Sequence, residues 1–134
     1  MSITLQAGEV LEPQTYAIRR SDLVRYAGAS GDFNSIHWSD RVATSVGLPG
    51  VIAHGMYTMA LAAKAVDLWS GGAEVVEFGC KFTNPVVVPD DDRGVDLVVA
   101  GTVKSVADGL VTIALEVTCG GQKVLGMPKA VLRA

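Results

Sequence analysis

The sequence predicts an α+β fold in which a curved antiparallel sheet wraps one long central helix. Residues 55–69 (GMYTMALAAKAVDLW) place apolar side chains on almost every side of a helix, broken only by Lys64 and Asp67, so the helix is expected to be buried. From residue 75 onward the chain reads as strand, with apolar and polar residues alternating over 95–106 and 110–119. Asp108-Gly109 joins those two runs and is a strong hairpin signal. A sheet rolled around a single apolar helix accounts for all three observations. The 134 residues carry no internal repeat, low-complexity segment or linker, so 1–134 is expected to form one domain.

In chain order, the first dozen residues read as a strap over the surface, and Thr15–Arg19 as a short strand. Ser21-Asp22 reads as a helix N-cap, followed by Leu23, Val24, Tyr26 and Ala27 at helical spacing, with Gly28 and Gly31 ending the helix. The segment GDFNSIH (31–37) is too rich in Gly, Asp, Asn and Ser for a helix interior. A short helix over Ser39–Val46 then leads to the turn Gly47-Leu48-Pro49-Gly50. Gly71-Gly72 stops the central helix. Val75–Val88 reads as a long strand whose character changes at Asn84-Pro85, and Pro89–Gly94 as a polar turn. Gly120-Gly121 makes a second tight turn. Gln122–Leu132 is the last strand, where Pro128 marks an edge or a bulge because proline cannot donate to a ladder.

Composition narrows the function classes. Hydrophobic residues make up 49% and charged residues 19%, apolar enough to suggest a face buried in a partner subunit. A net charge of −3 and a pI near 5.2 argue against a nucleic-acid surface. Cys80 and Cys119 do not make a disulfide framework and read as reduced, buried thiols. The N-terminus lacks the pattern of a signal peptide, and no apolar run reaches the ~20 residues of a membrane span. A soluble, cytoplasmic protein with no membrane partner is expected.

Asp32 and His37 carry the chemistry. Five residues apart on a helix, they would point about 140° from each other; on a loop they can converge on one proton. A carboxylate and an imidazole that converge can add or remove water across a carbon–carbon bond. Taken singly, Asp32 reads as a turn residue and His37 as a structural histidine. Asp32, His37, Asp40 and His54 are also metal-ligand types, but their spacing matches no compact metal motif. Arg93, Lys104, Lys123 and Lys129 could meet carrier phosphates, although scattered basic residues are usually plain surface.

The stretch GDFNSIHWSD resembles the hydratase-2 motif of MaoC-like (R)-specific enoyl hydratases and dehydratases. Tyr26, Ser30, Gly31, Asp32, Asn34, Ile36, His37 and Asp40 fit that pattern, and IAHGM (52–56) matches the family's second signature. The likeness runs nearly end to end, through VRYAGASGD, KFTNPVVVPD and the Asp108-Gly109 hairpin. It looks nearest to the catalytic B-type subunit of mycobacterial (3R)-hydroxyacyl-ACP dehydratases. The resemblance implies a hot-dog fold and a dimer whose sheets join, either a homodimer or a heterodimer with another hot-dog subunit. It implies an acyl-CoA or acyl-ACP thioester substrate, no cofactor and no metal. It makes Asp32 and His37 the acid–base dyad and the Gly55 N–H the oxyanion donor, with Asn34, Ser30 and His54 in support. Met59, Ala63 and Val66 recur at helical spacing and could line an acyl tunnel, although core packing is their plainer reading. One departure is visible: Ser35 stands where the family usually has proline, so a more mobile loop is expected.

The enzyme reading is therefore an (R)-specific 3-hydroxyacyl-thioester dehydratase or enoyl-thioester hydratase of fatty-acid metabolism. The alternative is a non-catalytic hot-dog module that binds acyl thioesters or serves as the scaffold half of a heterodimer. The intact Asp32–His37 pair speaks against that alternative. Thioester hydrolysis on the same fold is a third reading, which the GDFNSIH pattern disfavours.

Overall fold

The computed structural model describes residues 4–134. The part of the N-terminal strap in residues 1–3 lies outside the described residues. Strand β1 (Val10–Ile18) is longer than the sequence suggested and takes up the end of the expected strap. Proline hid its first half: the β1 register shifts between Leu11 and Gln14, so Pro13 sits in a bulge on an edge strand, where its missing N–H costs nothing.

Helix α1 (Arg20–Ser30) begins before the expected Ser21-Asp22 cap. Asp22 stands at the third helical position and reaches back, its carboxylate accepting the Arg19 N–H at 2.8 Å. Gly28 lies within the helix. Gly31 ends it in the left-handed region (φ 78°), its N–H donating to the Ala27 carbonyl. A single 3-10 turn covers Ser35–His37. Helix α2 (Asp40–Ser45) has Ser39 as its cap, with the hydroxyl accepting the Val42 N–H at 3.2 Å. Helix α3 (Gly55–Ser70) ends at Gly71, again left-handed.

The remainder is sheet: β2 (Val75–Phe82), β3 (Val95–Ala107), β4 (Leu110–Cys119), β5 (Gln122–Lys123) and β6 (Leu125–Arg133). The strand order is β1-β3-β4-β6-β2, all pairs antiparallel, with β5 paired to β4. Asp108 and Gly109 both have positive φ, as a two-residue hairpin loop requires.

Two strands differ from the sequence reading. The run Val75–Val88 is not one strand. It leaves the sheet after Phe82, where the Thr83 hydroxyl and the Asn84 amide both donate to the Lys123 carbonyl, at 3.2 and 2.7 Å. Beyond that point it pairs outside the sheet, by an isolated bridge between Val87 and Ile52. The last strand is split into β5 and β6, and β6 lies inside the sheet between β4 and β2. Pro128 is therefore in a bulge and not on an edge. Gly79 pairs with Lys129 and Lys81 with Gly126, leaving Met127 and Pro128 opposite Cys80. Cys80 and Cys119 are both free and partly buried, and burial pushes both thiols up from their ordinary pKa.

Helix α3 lies against the sheet with Leu61, Ala62, Ala65 and Val66 in the core beside Val99, Val103, Ile113 and Leu132. It is not buried all round. Met56, Ala60, Lys64 and Leu68 face outward, because one sheet covers one side of one helix. The C-terminal end of α3 is pinned to the sheet. The Trp69 indole N–H donates to the Glu12 carbonyl at 2.8 Å, and its ring occupies the space over Gly101. No helix among the described residues is long and apolar enough to cross a membrane.

A Cβ on Gly101 would lie 2.9 Å from the Trp69 ring and 3.3 Å from Ile113. Gly101→Ala is expected to lower stability by about 1–3 kcal/mol through overpacking, read as a lower urea midpoint at unchanged slope.

Candidate active site

The loop after α1 is wound by its own short polar side chains. The Asp32 N–H donates to the Ser30 hydroxyl (3.2 Å), the Asn34 N–H to Asp32 Oδ1 (3.1 Å), and the Ile36 N–H to Asn34 Oδ1 (3.2 Å). Two consecutive Asx turns thus carry the chain into the 3-10 turn that presents His37. The segment preceding α3 then locks onto that turn. The Ile52 N–H donates to the Ile36 carbonyl, and the His37 Nδ1–H donates to the Ile52 carbonyl at 2.7 Å. That second bond selects the tautomer, leaving Nε2 with its lone pair. Nε2 lies 3.9 Å from Asp32 Oδ2. His37 is buried, whereas the Asp32 carboxylate is half exposed.

His54 backs the pair. Its Nε2–H donates to the Asp32 carbonyl at 3.1 Å, and its ring stacks on His37 with centroids 3.8 Å apart. Tyr26 meets its edge at 4.8 Å. His54 is 2% exposed, and its Nδ1 is buried without a hydrogen-bond partner among the described residues. Burial pulls its pKa below the usual 6.5, which the bond to the Asp32 carbonyl only partly opposes. The ring is therefore neutral beside the dyad.

Asp32, His37, Ser30, His54 and Gly55 line one cavity of about 550 Å³. Asn34 does not line it and holds the loop from behind. Gly55 opens α3, and its N–H has no acceptor among the described residues, so it points unpaired from the positive end of a four-turn helix. A Cβ at Gly55 would sit 3.0 Å from the Phe82 ring, which would have to give by a few tenths of an ångström, and Phe82 is 56% exposed. Met59, Ala63 and Val66 line no part of this cavity, and Val66 is fully buried in the core. From α3 the cavity receives only Gly55, Met56 and Thr58. Helical spacing shows which residues share a face but not how far along the helix a cavity reaches.

Sequence reading assigned no role to several residues that shape the site. Tyr26 and Phe82 line the cavity, with Asn84 and Pro85 on the opposite wall. Asp40 joins three segments. Arg20 Nη2 bridges both its oxygens at 2.9 Å, the Val51 N–H donates to Oδ1 at 3.0 Å, and Arg20 Nε donates to the Val88 carbonyl. The Val51 N–H and then Arg20 hold the Asp40 carboxyl below the usual carboxylate range. Its place in the motif was the available signal; its distant partners were not visible.

Asp32, His37 and His54 bring ligand atoms within 4.8 Å of one another. They do not suit a metal ion. The two rings are stacked with centroids 3.8 Å apart and 22° between planes, so their in-plane lone pairs lie in separate, nearly parallel planes and do not meet at one ion.

The neutral burial of His54 sets a pH dependence. Its folded pKa lies below the unfolded 6.5, so as pH falls through 6.5 the unfolded chain takes a proton that the fold refuses. Stability is expected to drop on passing from pH 8 to pH 5. His54→Gln should flatten that limb, as read from urea midpoints across the range.

Comparison with known proteins agrees with this geometry. The family model of the MaoC like domain matches residues 4–120. The 3-hydroxyacyl-thioester dehydratase X of Mycobacterium tuberculosis is 34% identical over 93 residues, which is 63% of this chain and 31% of that protein. The chain thus spans about a third of the length of that relative. Among solved structures, a MaoC-like dehydratase superposes with a TM-score of 0.91 at 34% identity, over 97% of this chain and 41% of the other. The R-hydratase PhaJ1 from Pseudomonas aeruginosa superposes with a TM-score of 0.84 at 28% identity, over 97% of this chain and 82% of the other. The sheet wrapped on α3 is the hot-dog fold, and the chain belongs to the MaoC-like domain family.

Proposed function

We propose that this chain is an (R)-specific 3-hydroxyacyl-thioester dehydratase, equally an enoyl-thioester hydratase, acting on acyl-ACP or acyl-CoA in fatty-acid metabolism. One observation carries the reading. The His37 Nδ1–H is committed to Ile52, which leaves Nε2 as a base 3.9 Å from Asp32 in a cavity that Gly55, with its unpaired N–H, also lines.

In the hydration direction the Asp32 carboxylate takes a proton from water as the water oxygen bonds to the β-carbon. The double bond shifts towards the thioester, and the developing enolate oxygen is held by the Gly55 N–H. The proton on Asp32 passes to the Nε2 lone pair of His37, and the imidazolium so formed delivers it to the α-carbon, restoring both groups. Dehydration is the same path reversed, and the equilibrium sets the direction. Neutral His54 adds no charge against the His37 imidazolium.

A partner subunit fits the same reading. Strand β2 is a sheet edge, paired only with β6 and carrying exposed Val75, Val76 and Phe82. The outward face of α3 adds Met56 and Leu68, both more than half exposed. A second hot-dog subunit, identical or different, covers these residues by joining sheets at β2. The resemblance to the B-type subunit favours acyl carrier protein as the thioester carrier.

Loss of ultraviolet absorbance on hydration of crotonyl-CoA tests the assignment. Asp32→Asn and His37→Ala should each lower the rate by roughly 100- to 10,000-fold while the far-ultraviolet circular dichroism stays native. Wild-type rates in either variant would sink the dyad. A folded wild type inert towards both acyl-CoA and acyl-ACP, with its partner present, would favour the scaffold reading instead.

Gly55→Pro isolates the oxyanion donor. Position 55 is the first helical residue, and His54 has the extended backbone (φ −59°, ψ 131°) that precedes a proline. The substitution should lower kcat by roughly 100- to 1,000-fold with a smaller change in KM, and an unchanged kcat would remove Gly55 from the mechanism.

A further inference from the structure

Trp38 follows His37 and Phe33 follows Asp32, and these two neighbours of the dyad are tied to each other. The Trp38 indole N–H donates to the Phe33 carbonyl at 3.0 Å. The bond closes residues 33–38 into a ring with one dyad member at each end. Burial does not explain these side chains: Trp38 is 55% exposed and Phe33 64% exposed. The indole's defined contact in this chain is the bond across the loop.

The backbone shows why the loop needs it. Asn34 lies at φ −54° and ψ 126°, the conformation that precedes a proline. Ser35 opens the 3-10 turn, the position where proline's fixed φ fits best. Neither the Ser35 N–H nor its hydroxyl makes a hydrogen bond among the described residues, so nothing there would be lost to a proline ring. The hinge has the shape for a stiff residue and carries a flexible one.

We propose that Trp38 is a positioning residue for the Asp32–His37 pair, restraining from across the loop the hinge that Ser35 leaves free. The assignment rests on the catalytic reading of the pair, but the clasp itself can be tested without catalysis. Consecutive carbonyls, Asp32 to His54 and Phe33 to Trp38, then fix the peptide planes that aim the Asp32 carboxylate at His37 Nε2. A restraint at residue 35 and a restraint from Trp38 do the same work, so one should replace the other.

Four proteins test this: wild type, Trp38→Phe, Ser35→Pro and the double variant. Trp38→Phe keeps an aromatic side chain at this exposed position and removes the donor. Amide hydrogen exchange by nuclear magnetic resonance reads the loop at Ile36 and His37, with the Ile113 amide as a core control. Crotonyl-CoA hydration reads turnover. Trp38→Phe should speed loop exchange roughly three- to tenfold and lower kcat by a similar factor, with Ile113 unchanged and KM within about twofold. Ser35→Pro in the Trp38→Phe background should restore both, and Ser35→Pro alone should keep wild-type turnover. Loop exchange at the wild-type rate in Trp38→Phe would overturn the clasp. Exchange restored by proline without recovery of kcat would overturn the positioning role. A wild type with no turnover on acyl-CoA or acyl-ACP, with its partner present, would overturn the dehydratase reading, and the exchange data would still decide the clasp.

Discussion

The hydrogen bond from His37 Nδ1–H to the Ile52 carbonyl is the constraint on which the site depends. It joins the loop after α1 to the segment that enters α3, and in doing so fixes the tautomer, the ring direction and the distance to Asp32. The Ile52 N–H returns a bond to the Ile36 carbonyl, so the two segments meet as a short ladder. Such a ladder positions a side chain far more tightly than a free loop can. It also brings the dyad beside the start of α3, where the unpaired Gly55 N–H stands. The Asp32–His37 pair and the Gly55 N–H are thus set by one local arrangement of backbone bonds.

That ladder is supported from below. Asp40 gathers the Val51 N–H and the Arg20 guanidinium, and Arg20 also reaches the Val88 carbonyl. The strand-like segment before α3 is in turn held to the 83–89 stretch by the Ile52–Val87 bridge and by bonds of Ala53 to Val86 and Val88 to Val51. These contacts cross long sequence distances at little cost in chain freedom, because sheet and helix have already fixed the ends of each segment. His54 completes the support from above by stacking on one dyad member and holding the main chain of the other. Its burial is tolerable because the ring stays neutral.

The elements that were legible in the sequence are those whose signals are local. Asp108-Gly109 and Gly71 each act through their own backbone conformation and sit where they were read, and the short helix read over Ser39–Val46 runs Asp40–Ser45 with Ser39 as its cap. Pro13 and Pro128 both sit in bulges, one of the two placements read for Pro128. Pro13 sits in an edge bulge inside a strand longer than expected, and Pro128 sits in a bulge on an interior strand. The buried character of α3 was half right. Its apolar character is a property of the sequence, but Met56, Ala60 and Leu68 stay exposed beside Lys64 because one sheet covers only one side of the helix. For Met59, Ala63 and Val66 helical spacing allowed either a tunnel or core packing, the plainer reading, and the cavity takes only Gly55, Met56 and Thr58 from the helix.

The sequence by itself determined the fold class, the family and the residue types that meet at the site, because periodicity, turn chemistry and a short motif are all properties of neighbouring residues. Tertiary structure alone decided which nitrogen of His37 is free, that His54 is buried and neutral, that Asp40 is a junction, and where the cavity ends. Each of those depends on a carbonyl, a ring or a strand brought from a distant part of the chain, and no local pattern encodes the partner at the other end of a long-range bond.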